Sequence, residues 1–89
     1  MSRTFNLEVV TPTKHFFNDK VEMVMVKTIS GYEGFMANHN YATKLLAEGK
    51  MKIKLPDKEG YLYAEIKDGY IDVKDKVLIF TEKASWIEA

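Results

Sequence analysis

Reactive side chains are few in this sequence, and their spacing builds neither a catalytic site nor a metal site. His15 and His39 lie far apart in the chain, and neither has a second ligand at a typical spacing. The chain has no cysteine, which removes thiolate nucleophiles, thiolate metal ligands and disulfides. None of the serines, Ser2, Ser30 and Ser85, stands in the G-x-S-x-G context of a nucleophile elbow. The sequence therefore predicts a protein that is not an enzyme by itself and that needs no cofactor.

The glycine pair in Gly31-Tyr32-Glu33-Gly34 is too short for a phosphate-binding loop, and it lacks the Lys and Ser/Thr of a P-loop. Because glycine reaches positive φ at little steric cost, we predict a tight chain reversal at this segment. His39 follows shortly after, and we expect it to hydrogen-bond backbone groups in its turn or to contact a partner. The segment is a candidate for contacts rather than for bond chemistry.

The strand before this turn has two apolar faces. Successive residues of a strand point to opposite faces. One face of this strand therefore carries Val21, Met23 and Met25, and the other carries Glu22, Val24 and Val26. A strand of this kind is either central and covered on both sides, or it presents one face to a partner. Methionine packs adaptably at binding surfaces, although filling a core is the commoner use of any single methionine.

Alternation elsewhere predicts further short strands. We expect them over residues 4–10, 14–17, 21–27, 35–36, 50–55, 61–66, 70–73 and 76–80. Residues 41–47 suit either a helix or a strand, and the flanking strands favour an extended segment. Asp68-Gly69 has the chemistry of a two-residue hairpin turn. Many short strands with turns about every ten residues indicate a sandwich or a barrel, whereas residues 82–89 lose the alternation and favour a helix capped by Ser85.

Composition restricts the classes of protein that this chain can belong to. Its 89 residues make one domain, and 46% of them are hydrophobic, which is usual for a folded chain. Thirteen basic and thirteen acidic residues cancel, which disfavours a general electrostatic grip on nucleic acid. No apolar run approaches the roughly 20 residues of a membrane span, and the N-terminus lacks the apolar core of a signal peptide. We therefore predict a soluble protein, and the lack of cysteine fits a reducing compartment.

One nucleic-acid interpretation stays open as the alternative. Tyr61 and Tyr63, with the basic face at Lys50, Lys52 and Lys54, are suitable for binding single-stranded nucleic acid on a small OB-like β-barrel. The competing interpretation is that the tyrosines pack across strands while their hydroxyls reach water. The zero net charge favours the competing interpretation.

Three segments, taken together, resemble one known family. They are LEVVTP at residues 7–12, VEMVMVKTISGYEGFMANH at residues 21–39 and DGYIDVKDKVLIFTEKA at residues 68–84. In this order and spacing they resemble the N-terminal domain of the epsilon subunit of the F-type ATP synthase, over about residues 4–84. The sequence departs from the family in having Ala37 before the Asn-His pair, Asn40-Tyr41 after it, and Asp68-Gly69 in place of Gly-Gly.

The resemblance implies an all-β fold, a two-sheet antiparallel β-sandwich of about ten short strands, with a short helical start at the C-terminus. The domain would cover residues 1–83, and residues 84–89 would begin a C-terminal helix that is cut short. The family usually continues into a helical hairpin that restrains ATP hydrolysis and in some members binds ATP. We therefore expect this chain to lack regulation by the hairpin.

The resemblance also implies a role as a non-catalytic central-stalk subunit. Such a subunit links the gamma subunit to the c-ring and couples ion translocation to ATP synthesis, at the cytoplasmic face of the membrane. The resemblance implies no cofactor and no nucleic acid. By position, the expected c-ring-facing turn consists of Gly31, Tyr32, Glu33, Gly34 and His39. The expected gamma-facing residues are Thr11, Val24, Val26 and Tyr41.

Overall fold

Ten β-strands make up most of the part of the chain that the structure describes. The computed structural model describes residues 3–88, and none of these residues lies in a helix that could cross a membrane. The strands are β1 (Phe5–Val10), β2 (His15–Val21), β3 (Met23–Thr28), β4 (Gly31–Met36), β5 (Ala42–Leu46), β6 (Gly49–Lys54), β7 (Leu62–Ile66), β8 (Gly69–Val73), β9 (Val77–Thr81) and β10 (Ala84–Ile87). The all-β prediction is confirmed, and residues 41–47 are extended as predicted, since they contain β5.

The strands form two sheets that meet at one corner. The hydrogen-bonded order is β10-β7-β6-β3-β5-β8-β9-β1-β2, with β4 paired to β3. Between β3 and β5 the ladder has a single residue pair, Thr28 with Leu46, so the order divides there. We call β10-β7-β6-β3-β4 sheet I and β5-β8-β9-β1-β2 sheet II. The predicted sandwich is confirmed, but β1 pairs with β9 in parallel, so the expectation of purely antiparallel sheets is wrong at this pair.

The core lies between the two sheets and is built by alternation along most of the strands. In β1, for example, Phe5, Leu7 and Val9 are buried while the residues between them face outward. The fully buried large side chains are Leu7, Val9, Val21, Val24, Val26, Met51, Ile53, Ile66, Ile71, Val73, Val77 and Ile79. Close-packed aliphatic interiors have low compressibility, so this sandwich should move as one stiff body.

The chain reversal lies two residues earlier than predicted. Ile29 and Ser30 form the turn between β3 and β4, and Gly31 already belongs to β4. The Thr28 hydroxyl lies 2.9 Å from both the Gly31 carbonyl and Glu33 Oε2, between which its one proton is shared, and it accepts from the Ser30 N–H at 3.1 Å, which closes the turn. Gly31 has φ of 116°, the backbone freedom that the sequence pattern detected. The predicted turn at residues 31–34 is therefore wrong in position, because Gly34 lies inside the strand.

Asp68-Gly69 does not make a hairpin. The chain passes there from β7 in sheet I to β8 in sheet II, and these two strands do not pair. Gly69 is needed for close approach, since a Cβ on this residue would lie 1.9 Å from the Phe80 carbonyl oxygen. The hairpin prediction is wrong because the same dipeptide also suits a tight crossing between sheets.

The C-terminal helix predicted at residues 84–89 is also wrong over the part that the structure describes. Ala84–Ile87 is strand β10, which pairs with β7 in the register Ala84 with Ile66 and Trp86 with Ala64. The other edge of β7 is covered by β6, so β10 occupies its remaining free edge and satisfies its backbone groups. This tertiary pairing outweighs the helix propensity of the segment, and Ala89 lies outside the described residues.

Candidate functional site

Glu33 is bound to other residues of the chain and is not a free side chain in a turn. Its position on β4 turns it toward sheet II, where Oε1 lies 2.5 Å from Lys44 Nζ on β5. Oε2 lies 2.9 Å from the Thr28 hydroxyl. The hydrogen bonds from Lys44 and Thr28 lower the pKa of Glu33 below its ordinary value. The prediction that Glu33 offers its charge to a partner is therefore corrected, because its carboxylate is already bound inside the chain.

Tyr32 and Ile29 form the exposed surface at this end of the sandwich. Tyr32 is 56% exposed, and Ile29, in the preceding turn, is 70% exposed. Sequence reasoning missed Ile29, although an aliphatic residue in a turn next to Ser30 was a signal for it. Gly31 and Gly34 contribute backbone only, so Tyr32 is the predicted ring-facing residue that presents a side chain here.

His39 lies at the other end of β4. Its Nδ1 contacts the Met36 carbonyl, and its Nε2 lies 3.1 Å from the Lys74 carbonyl oxygen. The ring packs edge-to-face against Phe5 at a centroid distance of 5.3 Å. Six strand residues separate it from the Ile29–Ser30 turn, a span of about 20 Å. The structure therefore does not bring His39 together with Tyr32, and the five predicted ring-facing residues do not make one surface.

The four predicted gamma-facing residues lie in three different environments. Val24 and Val26 are fully buried in the core, so the prediction that they face a partner is wrong for both. The outward face of β3 is the one that carries Met23 and Met25. Thr11 is nearly buried in the turn after β1, where its hydroxyl oxygen accepts from the Lys14 N–H at 3.2 Å.

Tyr41 is the exposed member of that predicted set. Its hydroxyl donates to Asp75 Oδ1 at 2.5 Å, and this bond to a carboxylate raises the pKa of Tyr41. His39 and Tyr41 thus both bind the turn between β8 and β9, at residues 74–76. Together they form one polar end of the sandwich.

An apolar row crosses the outer face of sheet II and was not predicted. Four directly paired outward residues on β5, β8, β9 and β1 form it: Leu45, Tyr70, Phe80 and Val10. Leu45 is 59% exposed, and the rings of Tyr70 and Phe80 stack at 5.7 Å. Apolar outward positions on neighbouring strands were its sequence signal, but only the strand order shows that they are neighbours. An apolar row of this kind is a candidate surface for contact with another chain.

The turn and the row lie side by side. The Ile29 N–H donates to the Leu45 carbonyl at 3.1 Å, which places the turn next to the first residue of the row. Within residues 3–88 no group of three acidic, histidine or cysteine side chains is arranged to hold a metal ion. The arrangement is therefore suited to contact with other chains, and nothing described in it builds a nucleophile with a base.

A stiff β-sandwich with exposed apolar surface is the type of domain found as a subunit of a larger assembly. Residues 4–87 match the family described as ATP synthase, Delta/Epsilon chain, beta-sandwich domain, and the chain belongs to this family. The ATP synthase epsilon chain of Alkaliphilus metalliredigens is 40% identical over 99% of this chain and 65% of its own length. That of Caldicellulosiruptor bescii is 39% identical over 94% of this chain and 61% of its own length. The chain thus spans less than two thirds of these relatives.

Two solved structures share the fold. A chain in the cryo-EM structure of the Euglena gracilis mitochondrial ATP synthase, OSCP/F1/c-ring, matches 93% of this chain and 53% of its own length, with a TM-score of 0.87 and 22% identity. A chain in the central stalk/c-ring structure of the Tetrahymena thermophila mitochondrial ATP synthase matches 94% of this chain and 67% of its own length, with a TM-score of 0.78 and 15% identity. At these identities the likeness shows the fold alone.

Proposed function

We propose that this chain is a non-catalytic central-stalk subunit of an F-type ATP synthase. It links the gamma subunit to the c-ring and couples ion translocation to ATP synthesis, on the cytoplasmic face of the membrane. The family match over residues 4–87 carries the proposal, and relatives named ATP synthase epsilon chain support it. Its task is mechanical, because a closely packed sandwich transmits force without deforming.

The gamma subunit binds the outer face of sheet II in this proposal. The apolar row supplies the centre of the interface, and the polar end around His39 and Tyr41 supplies its rim. This surface replaces the buried Val24 and Val26 as the gamma-facing candidate.

The c-ring contacts the Ile29–Ser30 turn and Tyr32. The side chains of Ile29 and Tyr32 are exposed, and the turn lies next to the apolar row. One subunit can therefore contact the gamma subunit and the c-ring at the same time. Glu33 and Lys44 lie behind this turn and hold it in shape rather than touching the ring.

A pull-down tests the proposal against the nucleic-acid alternative. The 89-residue chain should co-purify with the gamma subunit of the ATP synthase from the same organism, and Tyr32→Ala should leave that complex intact. In the reassembled enzyme, Tyr32→Ala with Ile29→Ser should lower coupling between proton or sodium flow and ATP synthesis. Retention on single-stranded DNA with steep salt dependence, together with no binding of gamma, would refute the stalk role.

A further inference from the structure

The outer face of sheet I combines methionine, tyrosine and lysine. Across its paired strands, Met25 lies between Gly34 on β4 and Lys52 on β6, and Lys52 lies opposite Tyr63 on β7. Met23 lies next to Met36, which is exposed, in the same way. We call this surface the methionine–lysine face. It is distinct from the apolar row, which lies on the other sheet.

A depression of about 220 Å³ opens in the methionine–lysine face. Its lining is Met25, Tyr32, Lys50, Lys52 and Tyr63, and most of the exposed lining is apolar. The volume is below the roughly 300–1,000 Å³ of sites for drug-sized ligands. It suits a single anchoring side chain, and the flexible thioether of methionine can adapt to the shape of that side chain.

The charge around this depression is positive and unpaired. Lys27, Lys50 and Lys52 make no ion pair within residues 3–88, although Glu65 stands opposite Lys50 in the ladder. Lys52 Nζ instead lies over the Tyr61 ring at 4.1 Å. By contrast, Glu8 on the outer face of sheet II is already paired with His15 at 3.0 Å. A partner that carries carboxylates would therefore complement the charge of the methionine–lysine face.

We propose that the methionine–lysine face docks an acidic amphipathic segment of another protein. One aliphatic or aromatic side chain of that segment enters the depression, and flanking carboxylates pair with Lys27, Lys50 and Lys52. A nucleic acid fits less well, because Lys52 already covers the Tyr61 ring on which a base would stack. A flat lipid surface would leave the depression unused. The proposal goes beyond the stalk role, which uses the row on sheet II, the Ile29–Ser30 turn and Tyr32. The two sites adjoin at Tyr32, which also lines the depression.

A labelled peptide tests the proposal directly. The probe is a short fluorescein-labelled synthetic helix with Glu on one face and Leu and Trp on the other, titrated with the 89-residue chain. In NMR spectra of the chain recorded with the same peptide, we expect the amide chemical shifts that change to belong to β3, β4, β6 and β7. Lys50→Glu with Lys52→Glu should weaken binding by about tenfold or more, since it reverses two contacts. The matched charge change Lys20→Glu with Lys76→Glu, away from this face, should change affinity by less than about twofold.

A second experiment tests the apolar side chain that is proposed to enter the depression. A probe with Ser in place of Leu and Trp should bind about tenfold more weakly, and Met25→Gln should weaken the original probe while preserving the thermal transition of the chain. Equal binding of both probes would overturn the proposal, because it would reduce the interaction to charge. Shift changes confined to sheet II would do the same, and so would tight binding to phosphatidylglycerol vesicles with none to the peptide. The shift map uses the unmutated chain, so it decides the matter even if a variant unfolds.

Discussion

The two sides of the sandwich, where the edges of the sheets face each other, are held together by different kinds of side-chain contact. On one side, Trp86 of β10 stacks on Phe16 of β2 at 4.4 Å and meets Phe17 edge-on at 6.0 Å. On the other side, next to the backbone pairing of β3 with β5, Glu33 of β4 and Lys44 of β5 form an ion pair, and Thr28 also contacts the Glu33 carboxylate. We call these the aromatic side and the polar side. Each joins an edge strand of sheet I to an edge strand of sheet II.

The difference indicates what each side can contribute. Burial of aromatic surface is insensitive to pH and is only weakly affected by salt, whereas an ion pair depends on the charge of both partners and on screening. The aromatic side should therefore carry most of the closure energy. The polar side, next to the proposed ring contact, should instead set the geometry of the Ile29–Ser30 turn. Three measurements test this difference between the aromatic side and the polar side.

Trp86→Ala should have the largest effect on stability. Trp86 is 44% exposed, so its removal should cost about 2 kcal/mol, roughly half of what a fully buried Trp costs. Urea unfolding followed by circular dichroism measures this. Tyr61, on the outer face of sheet I, is 43% exposed and is a matched control whose replacement by Ala should cost no more than about 1 kcal/mol. Equal losses for the two variants would show that the aromatic side closes nothing.

Glu33→Gln should change the pH dependence of stability more than stability at neutral pH. The pKa of Glu33 is lowered in the folded chain, so its contribution is present above the unfolded-state pKa, about 4.3 for glutamate. That contribution is lost as the pH falls through the folded-state pKa. The urea midpoint of the unmutated chain should therefore fall more steeply below about pH 4.3 than that of Glu33→Gln. Parallel pH curves would contradict the role of the ion pair.

Salt should reduce the stability loss caused by Glu33→Gln without reducing the larger loss caused by Trp86→Ala. The stability difference between the unmutated chain and Glu33→Gln should shrink between about 0.1 M and about 1 M NaCl, as the screening length falls from about 10 Å to about 3 Å. The difference caused by Trp86→Ala should stay constant or grow. Thermal melts of the three chains at both salt concentrations give the answer, and a salt-independent Glu33 effect would point to packing instead of charge.

Much of the fold was readable from alternation, because a half-buried strand has a two-residue period that no other element shares. The side of a strand that turns inward was not readable where both faces were apolar. In β3 both Val24 with Val26 and Met23 with Met25 fit a core, and only pairing with β4 and β6 decides between them. The sequence therefore located the strand but assigned two buried valines to a surface.

Long-range partners explain the other errors. The C-terminal segment forms β10 and not the predicted helix, because it pairs with the free edge of β7 and packs Trp86 on Phe16 and Phe17. The sequence predicted an unpaired Glu33 because its partner Lys44 comes from another strand of another sheet. His39 and Tyr32 are close in sequence, but Tyr32 lies near the start of β4 and His39 lies beyond its end, so the extended strand separates them.

The stalk role is tested most directly by calorimetric titration of the gamma subunit into this chain. Leu45 is 59% exposed and heads the apolar row, so Leu45→Glu should keep the fold while placing a charge in the proposed interface. We predict a stoichiometric complex with the unmutated chain and binding about tenfold weaker or worse with Leu45→Glu. Heat that is absent with the unmutated chain, or identical for the two chains, would contradict the account.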